Sequence, residues 1–187
     1  MTRGSDGFFQ LDKDQEALKA FLEEVNEKSM HFKSTKEKVR YMIDHDYYED
    51  IYQLYTQEQV DEIYALTHQS GFEFASYMAA SKFYKDYALK TNDKSMYLEH
   101  FPDRVAITAL HLANGDMDKA RKLARAMIEQ RLQPATPTFL NAGKSRRGEM
   151  VSCFLLEMDD SLNSINYVLN TCMQLSKIGG GVAVNFS

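Results

Sequence analysis

The 187-residue chain is poor in the features that mark several protein classes. It has two cysteines, Cys153 and Cys172, outside any C-x-x-C or cysteine–histidine spacing. They form neither a disulfide framework nor a zinc site, and a reducing cytoplasm is the simplest compartment. No apolar run reaches transmembrane length, and Met1–Leu11 is polar and glycine-bearing, so neither a span nor a signal peptide is expected. A net charge of -5 argues against a general nucleic-acid binder. The phosphate-binding patterns G-x-G-x-x-G and G-x-x-x-x-G-K-[ST] are absent, and the five histidines lack metal spacing. There is no internal repeat and no low-complexity segment. What remains, 44% hydrophobic and 26% charged residues, is the composition of a soluble globular chain holding one ordinary domain or two small ones.

Helical periodicity fills the first part. Leu18, Phe21, Leu22 and Val25 form one apolar stripe; Ser34 or Thr35 caps the next helix, with Val39, Met42 and Ile43 on its face. Thr56-Gln-Glu-Gln59 fits a capping box ahead of Val60, Ile63, Tyr64 and Thr67. Ala75–Leu89 reads as a further helix carrying Met78, Phe83, Tyr84 and Tyr87. Residues 8–90 therefore form a small helical module, with Thr91-Asn-Asp-Lys94 as a junction. Two more helices follow, one lined by Val105, Ala109 and Leu112 and ending at Asn114-Gly115, one capped by Asp116 with Leu123, Ala126 and Met127 inside. Pro134 and Pro137 are expected to hold Gln133–Thr138 extended, and Lys144–Arg147 is a short basic loop.

The most informative stretch is Gly148–Ser187. Met150–Glu157 reads as a strand, and Asp159, Asp160 and Ser161 offer N-cap oxygens. A helix follows with Leu162, Ile165, Leu169, Cys172, Met173 and Ser176 on its apolar face. Gly179–Gly181 stop it, and Val182, Ala183, Val184 and Phe186 make a second strand. Strand, crossover helix and strand imply a parallel pair, which is normally buried on both faces by further elements. The sequence thus looks like the N-terminal portion of a larger protein or a split gene product.

Several residues invite chemistry, each with a plainer alternative. Cys153 is either a reactive thiol or a small buried hydrophobe. Gly179–Gly181 either admit a phosphate or only end a helix. Thr136 and Thr138 donate hydroxyls to a ligand or cap a turn, Arg146 and Arg147 are commonly solvated, and Asp160 is first of all an N-cap. The tyrosines crowding the helical module suit amphipathic packing.

Four ordered segments resemble the large (alpha) subunit of class I ribonucleoside-diphosphate reductases, most closely class Ib. They are Gln133–Gly143 (QPATPTFLNAG), Arg146–Glu157 (RRGEMVSCFLLE), Asp160–Ser164 (DSLNS) and Met173–Val182 (MQLSKIGGGV). The first ninety residues resemble that subunit's helical N-terminal module more softly. The resemblance implies a helical module followed by the first β-α-β portion (91–187) of a ten-stranded α/β barrel. It implies reduction of ribonucleoside diphosphates by thiyl-radical chemistry, and it assigns roles. Cys153 matches a redox-active cysteine; Thr136, Ser152 and Gly181, with Cys153, match substrate-binding positions; Asp160 matches the site of a nucleoside triphosphate effector. The helix over 161–177 matches part of a homodimer interface. No cofactor or metal is implied in this chain itself. The parent enzyme would rely on a metal-radical cofactor in a small (beta) subunit and on a glutaredoxin-like reductant. The family's thiyl-forming cysteine and second redox cysteine have no match here, and Cys172 is not one of them. The N-terminal module is shorter than the full nucleotide-binding cone of other class I enzymes. By this reading the isolated chain is inactive; the alternative is a non-catalytic assembly fragment that complements a separate C-terminal half.

Overall fold

The computed structural model describes residues 2–3, 9–10, 12–146 and 148–186, with side chains from residue 14 onward. Arg147 of the basic loop lies outside the described residues. Two short antiparallel strands, β1 (Thr2–Arg3) and β2 (Phe9–Gln10), precede α1 (Asp12–Glu27), α2 (Thr35–Asp44) and α3 (Gln57–His68). The helix α4 (Tyr77–Lys82) widens into a π turn over Phe83–Tyr87; α5 (Phe101–Ala113), α6 (Met117–Ile128) and α7 (Thr136–Asn141) follow. The chain then forms β3 (Cys153–Met158), α8 (Leu162–Lys177) and β4 (Gly181–Phe186).

Local chemistry accounts for most helix boundaries. Ser34 and Ser76 cap α2 and α4 by accepting from Glu37 and Ala79 N–H, and Thr56 with Gln59 forms the reciprocal capping box of α3. Asp116 caps α6, while Asn114 takes the left-handed conformation that ends α5. One boundary differs from expectation. Thr136–Asn141 is helical, not extended, because Pro137 sits in the first turn, where no intrahelical N–H is needed.

The core is continuous from Val25 to Phe139 and is centred on α5, which packs against α3 and α6. Val105, Ala106, Ile107, Ala109 and Leu110 are all fully covered, so α5 is buried nearly all round rather than on one stripe. Leu112, Leu123 and Ala126 are only partly buried, and Met78 is exposed; Ala120, Ala124, Met127 and Ile128 carry the inner face of α6. Phe72, Phe74, Phe83, Tyr84 and Phe101 form an aromatic cluster, with the Phe72 and Phe101 rings stacked 4.2 Å apart. The core thus crosses the turn at 91–94.

Charged groups also lie inside. Arg104 and Glu99 are fully buried, with Arg104 Nη1 3.1 Å from Glu99 Oε1. Glu99 also accepts from the Tyr48 hydroxyl (2.7 Å) and Leu89 N–H (2.9 Å), and Arg104 donates to the Ala142 carbonyl. Asp103 accepts from Lys38 (2.6 Å), His68 (2.9 Å) and His100 N–H (2.7 Å). Burial alone would raise its pKa, but Lys38 and His68 prevail and hold the carboxyl well below the ordinary carboxylate range. These pairs tie α2, α3, α5 and the loop after α7 into one body.

Candidate active site at the start of the parallel pair

β3 and β4 are parallel, with Cys153 opposite Gly181 and Met158 opposite Phe186. Alternate side chains divide by face. Phe154, Leu156 and Met158 are half-buried on the α8 side, whereas Cys153, Leu155 and Glu157 are exposed on the other. The ladder opens one position earlier, where Gly181 N–H donates to the Ser152 carbonyl at 2.7 Å. Ser152 Oγ lies 3.5 Å from Cys153 Sγ. Ser152, Cys153 and Gly181 therefore meet at one end of the pair.

The glycines have distinct jobs. Gly179 adopts φ +90°, which ends α8 in a conformation side chains resist. A Cβ on Gly180 would fall 2.4 Å from the Phe154 ring, so this position lets β3 pack against the turn. Gly181 leaves the rung opposite the thiol without a side chain.

The approach to the thiol is fixed from the helical side. Asn141, closing α7, donates to the Glu149 carbonyl at 2.9 Å and accepts from Gly148 N–H at 3.3 Å. Thr138 Oγ1 donates to the Met150 carbonyl at 3.2 Å. These bonds engage the 148–150 backbone, so the strand begins at Cys153 and not at Met150. Thr136 opens the same helix, with its hydroxyl 3.3 Å from that of Tyr87. It shares with the thiol the α7–β3 connection and no direct contact.

Asp160 lies two residues past the far end of β3, a strand whose five steps from Cys153 to Met158 span about 17 Å at the usual rise per residue. It is exposed and is not the cap: Ser161 is, accepting from Ser164 N–H at 3.2 Å, while Ser164 Oγ accepts from Asp159 N–H at 2.9 Å. The α8 face also differs from expectation. Ile165, Val168, Cys172 and Leu175 turn inward, but Leu162, Leu169 and Met173, together with Tyr167, are exposed. Cys172 is thus half-buried behind the sheet, on the side away from the Cys153 face.

Sequence reasoning missed the buried Glu99–Arg104 and Asp103–Lys38 pairs and buried Lys144. The Lys144 ammonium donates to the Tyr87 carbonyl at 3.1 Å, and burial pushes its pKa down to about 8 against the pull of Glu99. One signal was present: His100-Phe-Pro-Asp103 reads as a helix start with an acid at the third position. Among the described residues no group of three or more His, Cys, Asp or Glu side chains could hold a metal, and no helix is long and apolar enough to cross a membrane.

A helical body that delivers a thiol-bearing parallel strand matches three consecutive family models. Residues 1–72 match the ribonucleotide reductase N-terminal model, 73–147 the ribonucleotide reductase all-alpha domain, and 151–187 the ribonucleotide reductase barrel domain. The chain belongs to the ribonucleotide reductase large-subunit family. It is 50% identical over 97% of its length to the ribonucleoside-diphosphate reductase subunit alpha of Bacillus subtilis (strain 168), covering 26% of that protein. A second alpha subunit from the same strain is 52% identical over 97% of this chain, which covers 17% of it. The subunit alpha of Mycoplasma pneumoniae is 47% identical over 91% of this chain, which covers 24% of it. The chain therefore spans about a quarter or less of these relatives.

Proposed function

We propose that this chain supplies the substrate-facing thiol and the first parallel pair of a class Ib-like ribonucleoside-diphosphate reductase, whose catalytic domain is a ten-stranded α/β barrel. The observation that carries the reading is the exposed Cys153 opposite Gly181 with Ser152 beside it. In the proposed reaction a thiyl radical activates the ribose of a ribonucleoside diphosphate. Cys153 gives a proton to the departing 2′-hydroxyl, which leaves as water. Bond formation between Cys153 and a second thiol then supplies the electron pair, leaving a disulfide. That second thiol is not Cys172, which lies behind the sheet.

Thr136, Ser152 and Gly181 grip the diphosphate and sugar in this reading; short hydroxyls and a bare backbone allow close approach to an anionic ligand. Asp160 contacts a nucleoside triphosphate effector, and its distance from Cys153 along β3 supports separate sites. The exposed Leu162, Leu169 and Met173 row supports a role for α8 in a homodimer. The radical comes from a metal-bearing small subunit, and a glutaredoxin-like protein in the cytoplasm restores the thiols.

The test is a chimera in which this chain replaces the corresponding residues of the Bacillus subtilis alpha subunit, assayed for deoxycytidine diphosphate formation with a radical-generating small subunit. Turnover by the chimera and its loss in Cys153→Ser are expected, and the isolated chain should give none. A chimera that keeps its activity with Cys153→Ser overturns the proposal.

A further inference from the structure

A cavity of about 480 Å³ opens between the end of α2 and the segment leading away from α4, and none of Thr136, Ser152, Cys153, Gly181 or Asp160 lines it. Its charge is opposite to that of the chain. Lys85, Lys90, Lys94 and Arg146 line it against a single acid, Asp46, in a protein of net charge -5. Asp46 offsets little of this, since its carboxylate lies 3.6 Å from Arg146 with both side chains largely exposed. The neighbouring acids are engaged elsewhere: Asp86 pairs with Lys82 at 2.5 Å, and Asp93 accepts from Thr91 and Ser95. Among the described residues neither Lys85 nor Lys94 has an ion-pair partner, and Lys90 is held over the Tyr97 ring.

The walls are rigid where a ligand would need them. The His45 ring is fixed by its bond to the Tyr41 carbonyl (2.9 Å) and stacks on the Tyr41 ring with centroids 4.0 Å apart. The Tyr47 hydroxyl accepts from Asn92 N–H at 3.2 Å, tying the 91–94 turn to the opposite wall. Four cations converging on one concavity repel one another when it is empty, and a multiply charged anion relieves that repulsion. The volume lies within the range of small-ligand sites, and the lining combines cations with two fixed aromatic rings.

We propose that this cavity binds a polyphosphate chain, free or as part of a nucleotide, with Lys85, Lys90, Lys94 and Arg146 as its anchors. The proposal does not depend on the reductase reading of Cys153. It is tested by titrating the chain calorimetrically with sodium tripolyphosphate and with ATP, at low and high salt. Lys85→Gln/Lys94→Gln is compared with the charge-matched Lys119→Gln/Lys122→Gln on α6. Saturable binding is expected, weakened about tenfold by the first pair of substitutions, untouched by the second, and reduced by salt. ATP binding more tightly than tripolyphosphate assigns the site to nucleotides, and equal affinities assign it to the phosphate chain alone. No saturable heat with either anion, or equal affinities for the two double variants, overturns the proposal. So does binding of a polyglutamate peptide where both phosphates fail.

Discussion

Cys153 and Gly181 occupy the same rung of the parallel ladder, and the thiol stands on the face turned away from α8. Nothing on the adjacent strand screens the sulfur, because its neighbour has no side chain. Cys172 sits half-buried between helix and sheet. Thiol reactivity follows access to the sulfur, so Cys153 should react with a maleimide about tenfold faster than Cys172 or more. Single-thiol variants, Cys172→Ser and Cys153→Ser, followed by mass spectrometry, give the two rates directly. Equal rates would contradict the face assignment.

Glu99 and Arg104 stand or fall together. Both are wholly buried, and Glu99 takes hydrogen bonds from Tyr48 and Leu89 as well as facing the guanidinium. Removing one member of a buried pair leaves an uncompensated charge, a loss of about 3–5 kcal/mol. Glu99→Ala should therefore lower the urea midpoint sharply, and Arg104→Met/Glu99→Leu should recover much of the loss. Denaturation curves of the wild-type chain and the two variants decide this.

Lys144 gives the fold an alkaline signature. Its pKa falls from the ordinary 10.5 to about 8, chiefly through burial. Between those values the unfolded chain holds a proton that the folded chain has released, so stability rises with pH. Tyr48 and Tyr64 act in the opposite sense above pH 10, since burial raises both hydroxyls well above their ordinary value. The wild type should thus gain stability from about pH 8 towards pH 10, and Lys144→Met should flatten that rise. Urea titrations at several pH values measure it.

Where a side chain writes its own local structure, the sequence is easy to read. Ser34, the Thr56–Gln59 box, Asn114 and Asp116 each mark a helix end through a bond within four residues. The β3–α8–β4 unit was legible for a similar reason, since Ser161 caps the helix and a glycine turn ends it just before the β-branched run of β4. Long-range effects were hidden. Asp103 and Arg104 look like solvated residues of α5 until Lys38, His68 and Glu99 arrive from elsewhere in the chain. Pro137 disfavours helix at the residue before it, yet in the first turn of α7 the missing donor costs nothing. The apolar row proposed for α8 merged two faces because three- and four-residue steps fit both. At the site, small polar residues near Cys153 could be picked out, but their register could not. It depends on Phe154 finding the space left by Gly180.

Asn141 is the clamp between the helical body and the thiol strand. Its side-chain amide donates to Glu149 and accepts from Gly148, and the bare Cα of Gly148 permits the approach: a Cβ there would come within 3.4 Å of Asn141 Nδ2. Thr138 adds one bond to Met150. Loss of two exposed hydrogen bonds should cost only about 1 kcal/mol in global stability, because water replaces both partners. The local effect should be larger, since among the described residues these two bonds are what hold Gly148 and Glu149 to α7. Asn141→Ala is therefore expected to leave the urea midpoint nearly unchanged while hydrogen exchange at the Gly148 amide accelerates about tenfold. The maleimide rate at Cys153 should rise alongside it, as the strand entrance loosens. Asn141→Asp separates the two bonds, keeping the acceptor for Gly148 and removing the donor to Glu149, and should show an intermediate exchange rate. An Asn141→Ala chain whose Gly148 amide exchanges at the wild-type rate would mean that Thr138 alone fixes the approach to the thiol.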